Sequence, residues 1–479
     1  MFRFLAVFFI LFSSQVFAKN FNVKIYHSES SSYLHYMMTG FGEAFVSGSM
    51  KSIIEKNEIK DFSKPQNQKD FKLLKSYLNN GYDFVSVKTR PNGFYGMDAL
   101  MGMSVVFPDL KVFEKTLSIY LPFDGVEAYF RLKKQIYPSF DKLIWQESKK
   151  FQASEMKQVN QIAKETKFSS RLMQAKKFYS SDYPLELDFK VGLIPIPDSK
   201  LKKNHTSAQN LKDIQVVPYL EAKGVKQAFD VIFHEFCHAL YEAQSRQVKQ
   251  EIEDFYLNSN HPHASFTYTY LNEILATALG NGWYGQILNP KNKEASWYAV
   301  NYIDQMAKAI YPTVLRYLQD SKSIDRAFLL KSIEVAEKTF PKAPFEVDAN
   351  FLSLRVLSLD SRFDRKTFSD FLQSSFRVQS MSWSIPASID DINEIDKPGT
   401  QSIIVLGRNK KSSLKKLKKV LPAEHLKKIE ENDSFLAVFR NKGKYIFWIE
   451  SKKATAASKA LQKLKNLKHL PRKFSVYPL

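Results

Sequence analysis

The stretch Val225 to Ser245, VKQAFDVIFHEFCHALYEAQS, is a helix-forming run and decides how the rest of the chain is read. On a helix, residues four apart lie one turn above each other, so His234 and His238 present their imidazoles the same way. Two such rings can grip one metal ion, with the carboxylate of Glu235 beside them. Cys237, between the histidines, reads as a small core residue on the helix flank rather than a ligand or nucleophile.

A catalytic metal site of this kind takes three protein ligands and leaves one position open. Position 244, six residues beyond His238, is Gln, so no histidine completes the set there. The next strong candidate is Glu273, in the amphipathic run Tyr270 to Gly280, which is expected to end as a helix at Gly280-Asn281-Gly282. His261 and His263, in the intervening loop, and the acids Glu242, Glu251, Glu253 and Asp254 remain as alternatives. Upstream, DIQVVPYL (Asp213 to Leu220) reads as a strand whose Pro218 suits a sheet edge or strand end, and Gly224 breaks it from the motif helix.

This order of strand, glycine and HExxH helix resembles the zincin type of zinc peptidase. HEFCH followed by NEILA resembles the gluzincin group within it, over Asp213 to Trp283. The resemblance implies Zn2+ held by His234, His238 and Glu273, with Glu235 as general base in hydrolysis of a peptide or protein substrate. It also implies an edge strand that pairs with extended substrate. Thermolysin-type members place an aspartate four residues after the ligand glutamate to hold a histidine; here that residue is Thr277, whose hydroxyl would do the same work more weakly. Tyr268, Tyr270, Tyr298, Tyr302 and His263 are candidates to stabilise the oxyanion.

Length and composition frame this site. A chain of 479 residues with 44% hydrophobic and 14% aromatic residues is globular and divides into domains. Residues 1–18, MFRFLAVFFILFSSQVFA, read as a secretory signal peptide cut after Ala18, so the mature chain is expected to be exported, periplasmic or extracellular. No later run is long and apolar enough to suggest a membrane span. With Cys237 as the single cysteine, no intrachain disulfide is available.

The remaining pattern is mainly helical through residue 381: Ser30 to Phe45, Lys51 to Glu58, Lys69 to Asn79, two or three helices over Val126 to Lys177, then Ser296 to Gln319, Ser323 to Thr339, Phe345 to Leu357 and Arg365 to Phe376. Strands are expected at Phe21 to His27, around residues 83–88 and over Leu185 to Pro197, with a turn at Lys88 to Asp98 that lacks either nucleotide-binding fingerprint. The expected class is α+β: a zincin-like region over 19–381, a linker at 382–399, and a domain at 400–479 in the order β-α-β-β-α-β. That last order is ferredoxin-like and should set two helices on one sheet face.

The net charge of +21 concentrates at the end, since residues 397–479 hold 21 Lys and Arg against 5 acids. That domain is expected either to hold polyanions, such as nucleic acid, lipid head groups or anionic envelope polymers, or simply to present solvated helix faces. It lacks the paired aromatics of an RNA-recognition sheet. The alternative to a peptidase is therefore a non-enzymatic envelope-associated protein that binds anionic polymers through this domain.

Overall fold

The computed structural model describes residues 21–43, 48–80, 96–197, 208–290, 296–359, 365–378, 380–388, 391, 402–418, 423–430, 432–441, 444–451, 454–467 and 469–479. The leader at 1–18, the strand at 83–88, most of the turn at 88–98 and much of the linker lie outside the described residues. The chain is α+β, with two mixed sheets among many helices.

The first sheet contains β1 (Val23–His27), β2 (Phe189–Ile196), β3 (Gln209–Asn210) and β4 (Ile214–Leu220), in spatial order β1-β2-β4-β3. The first two and β4 are parallel, and β3 runs antiparallel to β4. Because β2 and β4 are covered on both sides, their residues divide by parity between two cores, as the two-residue strand period requires. Val191, Leu193, Val217 and Tyr219 pack with the motif helix, and Ile194, Ile196, Val216 and Leu220 with the N-terminal helices. Those N-terminal helices are Glu29–Gly40, Gly48–Lys56, Pro65–Asn80, Gly96–Val106 and Phe123–Phe140.

The expected edge strand is corrected here. Asp213 to Leu220 holds an inner strand, Ile214–Leu220, and among the described residues the edge is β3, in a stretch where no strand was expected. A strand of two polar residues carries no periodicity by which sequence could reveal it. Pro218 is tolerated because β3 pairs only with Gln215 and Val216, leaving that end of β4 unpaired on one flank among the described residues.

Beyond Gly224, held at φ 73°, the motif helix runs from Lys226 to Glu242. Phe229, Ile232, Phe233, Phe236, Cys237 and Leu240 are buried in its core face. A return helix, Ala264–Thr277, packs across it and does not end at Gly280 as expected. It widens into a π-helical segment, Ala278–Tyr284, and continues as Gly285–Leu288. Glycine serves close approach here rather than termination: a Cβ on Gly280 would lie 2.6 Å from the Cα of His234. The helix expected from Ser296 begins at Asn301, leaving Ser296 to Val300 as a non-helical approach.

The second sheet corrects the C-terminal expectation. It comprises β5 (Ser353–Ser358), β6 (Ser380–Ser384), β7 (Ser402–Gly407), β8 (Phe435–Asn441), β9 (Lys444–Glu450) and β10 (Ser475–Pro478), in order β10-β8-β9-β7-β5-β6. The stretch Phe345 to Leu357 is thus a short helix, Val347–Phe351, followed by a strand, and β6 takes in Ser382 to Ser384, the first residues of the linker placed at 382–399. The β-α-β-β-α-β succession from β7 to β10 is present, but β5 occupies the flank of β7 that a ferredoxin-like fold gives to its last strand. β10 pairs with β8 instead. The helices lie on opposite faces: Arg365–Ser375 and Ala454–Lys465 pack with Val356, Ile404 and Phe447, whereas Leu414, Leu426 and Ile429 pack with Val405, Phe435 and Trp448. Coverage of both faces explains why β7 and β9 read as continuous apolar runs. Lys411, Lys415, Lys427, Lys459 and Lys463 stand exposed on these helices.

The helix contact yields a stability test. Gly280→Ala forces a methyl against backbone and should cost about 1–3 kcal/mol. Gly102→Ala, whose methyl would meet only side chains at 3.5 Å and 3.7 Å, should be neutral or stabilising through helix propensity. Urea denaturation of both variants checks this, and equal losses would contradict the close contact.

Candidate metal centre

The motif and return helices bring three of the expected residues to one point. His234 Nε2 and His238 Nε2 are 3.1 Å apart, and the Glu273 carboxylate places Oε1 3.2 Å from the first and Oε2 3.4 Å from the second. Tetrahedral bonds of about 2.0–2.1 Å from imidazole and carboxylate place neighbouring ligand atoms roughly 3.3–3.4 Å apart. The spacing of this trio therefore fits a common ion, and the His2Glu donor set is one that suits zinc.

The opposite ring nitrogens show why. His234 Nδ1 lies 2.9 Å from Asn281 Oδ1, and His238 Nδ1 lies 3.0 Å from Asn272 Oδ1. With an amide oxygen as partner, each Nδ1 must donate its proton, so in the neutral rings both Nε2 atoms carry lone pairs. Two lone pairs and a carboxylate then face each other, a cluster of acceptors that a cation or added protons must satisfy.

Sequence reasoning missed both asparagines and looked to Thr277 for this supporting role. Thr277 is fully buried, and its Oγ1 has no hydrogen-bond partner among the described residues. Asn272 directly precedes Glu273, so its place in the motif was a usable signal. Asn281 had none, because it reaches His234 from the π-helical turn. Such turns insert a residue into a helix and re-aim the side chains around it, often at functional sites.

Glu235 lies next to the trio, partly buried, with its acidity set by that position. Burial raises its pKa; nearby His238 opposes this, while Glu273 and Glu242 add to it, and the outcome is about 7. Glu273 moves the other way when added protons satisfy the cluster: burial would raise it, but His238 and His234 in their charged, donating form, with the hydroxyl of Tyr298, outweigh burial and hold it at about 2. Tyr298 also stacks on His234, with ring centroids 6.1 Å apart at 18°. Asp304, in the first turn of Asn301–Gln319, fixes this tyrosine by accepting from the backbone N–H groups of Trp297 and Tyr298 at 2.6 Å and 3.2 Å.

The other candidates lie elsewhere. Tyr270 donates to Ala349 O and Tyr302 to Glu346, both away from the trio. Tyr268 stacks on Tyr256 and lines, with Asn272 and Glu242, a cavity of about 670 Å³. His261 and His263 gather with Glu337 rather than with His234 and His238. Cys237 is buried, with its thiol pushed up by burial. Asn210 of β3 donates to the backbone oxygen of Glu235 at 2.6 Å, so the sheet edge lies against the motif helix. No protein-family model, curated protein or solved structure matches the chain.

Two outcomes follow. Asn281→Ala and Asn272→Ala should each weaken Zn2+ affinity about 10–100-fold in a chelator competition, while Thr277→Val should leave it unchanged. The second concerns pH. A carboxylate raised from 4.5 to about 7 is disfavoured in its charged form by the fold, so stability falls as pH rises through that window and stays low above it. In chelated protein Glu235→Gln should therefore raise the melting temperature at about pH 8 and leave it unaltered near about pH 4. A gain of equal size at both would contradict the assignment.

Proposed function

We propose that the chain is an exported zinc-dependent peptidase of the zincin type, with His234, His238 and Glu273 as ligands and Glu235 as general base. The observation that carries this reading is the convergence of two Nε2 atoms and a carboxylate, each ring aimed by an asparagine, beside a glutamate of pKa about 7. A zinc ion bound there supplies Lewis acidity toward a carbonyl and makes water more acidic.

The chain's own residues account for the proton transfers. Glu235, poised near neutrality, accepts a proton from the attacking water and passes it to the leaving amine, so it ends each cycle as it began. Tyr298 is the hydroxyl we assign to the developing oxyanion, because it is the candidate tyrosine that bonds Glu273 and stacks on His234. The edge strand β3 supplies a main-chain flank on the motif helix along which an extended peptide can add as a further strand. Export rests on the leader at 1–18.

Glu235→Gln should retain the metal and lose on the order of 10²–10⁴ in hydrolysis of a mixed peptide library. Undiminished hydrolysis with the metal still bound would remove Glu235 from the chemistry. Tyr298→Phe should lower kcat with little change in KM.

A further inference from the structure

A second group of metal-ligand side chains lies away from the HExxH trio. His261, His263 and Glu337 offer nitrogen and oxygen atoms that all lie within 4.8 Å of one another. They come from separate parts of the fold: the loop before the return helix, the N-cap of that helix, and the last turns of the helix Arg326–Thr339. His263 is 3% exposed, and its Nδ1 is buried with no hydrogen-bond partner among the described residues. Its other nitrogen, Nε2, donates to Phe340 O at 2.9 Å. That is how a ligating imidazole is commonly held, one nitrogen on a backbone carbonyl and the other presented as a lone pair.

The surroundings are pre-arranged. His261 N donates to Ser259 Oγ, and Ala264 N to His261 O, which fixes the His-Pro-His turn. His261 Nε2 points toward Glu337 Oε2 at 3.5 Å. Arg440, the cation felt at His263, is occupied over the rings of Phe345 and Tyr445 at 5.4 Å and 5.3 Å.

We propose that His261, His263 and Glu337 form a second site for a borderline divalent cation such as Zn2+, structural in role, clamping the start of the return helix to the helix Arg326–Thr339. Two imidazoles and a carboxylate select that class of ion over Mg2+ or Ca2+. His261 Nδ1 accepts from the backbone N–H of His263, so Nε2 carries the proton in the metal-free state. Metal binding through Nε2 shifts this proton to Nδ1 and releases that bond, which makes the site weaker than the one at His234. The ion would fix the same helix that presents Glu273.

The test is equilibrium dialysis of the full chain, stripped with chelator, against buffered Zn2+ alone, with metal per chain measured by mass spectrometry. Wild type should bind two ions, the His261→Ala/Glu337→Gln pair one, and the His234→Ala/His238→Ala pair one. Zn2+ should also raise the melting temperature of the latter pair, whose remaining site is the proposed one. Two ions retained by His261→Ala/Glu337→Gln, or no thermal shift in His234→Ala/His238→Ala, overturns the second site. A wild type that binds one ion overturns it when His234→Ala/His238→Ala abolishes binding; when His261→Ala/Glu337→Gln abolishes binding instead, this site stands and the peptidase reading falls. Circular dichroism of each variant identifies loss of fold, and a misfolded pair is replaced by His261→Asn alone, read by the same loss of one ion.

Discussion

The site depends on how closely the return helix can approach the motif helix. At Gly280 the two backbones meet with no room for a side chain, since a Cβ there would fall 2.6 Å from His234 Cα and 2.8 Å from its nitrogen. That contact sets the height at which Glu273, two helical turns earlier, reaches the imidazoles, and it brings Asn281 against His234 from behind. A larger residue would push the carboxylate away from both nitrogens at once. The π-helical widening belongs to the same solution: it lets the chain pass the contact and still turn Asn281 inward.

Electrostatics then restricts what the trio can do. Burying a carboxylate beside two imidazole lone pairs is costly unless positive charge satisfies them. Glu273 is held in its charged form and Glu235, one residue from His234, is pushed toward its neutral form, so neighbouring carboxylates are driven apart in acidity by their surroundings. Such a division is what the proposed roles of metal ligand and proton carrier would require of two neighbouring carboxylates. Tyr298 and Asp304 extend the arrangement, because the aspartate fixes the backbone that delivers the tyrosine to Glu273.

What sequence could reveal followed from periodicity and spacing. His234 and His238 are one turn apart, so any helix through them aligns the rings, and most of the long helices from Glu29 to Thr339 were legible from apolar repeats, whereas Gly96–Val106 and Arg246–Leu257 fall where a turn and a loop were expected. Features made by tertiary contact were not. Gly280 looks like a helix stop because glycine usually is one, and only the neighbouring backbone reveals its use. The two-residue edge β3 and the strand β5 were hidden for different reasons: one is too short for any pattern, and the other follows a helix so closely that Phe345 to Leu357 reads as one element. The order of β7 to β10 was visible, but β5 claims the open flank of β7, which no local pattern within 400–479 announces.

The basic C-terminal region gains a different weight from its contacts. Arg440 and Arg472 place their guanidinium groups over Phe345 at 5.4 Å and 4.4 Å, and Leu470 N donates to Phe345 O, so part of the positive charge is spent joining the last strands to the segment after Thr339. Arg377, just before β6, donates to the carbonyl of Ala299, the residue after Tyr298. The C-terminal sheet is therefore tied to the backbone that carries the tyrosine bonded to Glu273. Charge counting treats every lysine and arginine alike, but Arg offers a planar, multi-donor group that can stack on a ring or hold a carbonyl, whereas Lys411, Lys415 and Lys459 project into solvent. The arginines thus build the junction beside the candidate metal centre, and the lysines account for the field that any polyanion would meet.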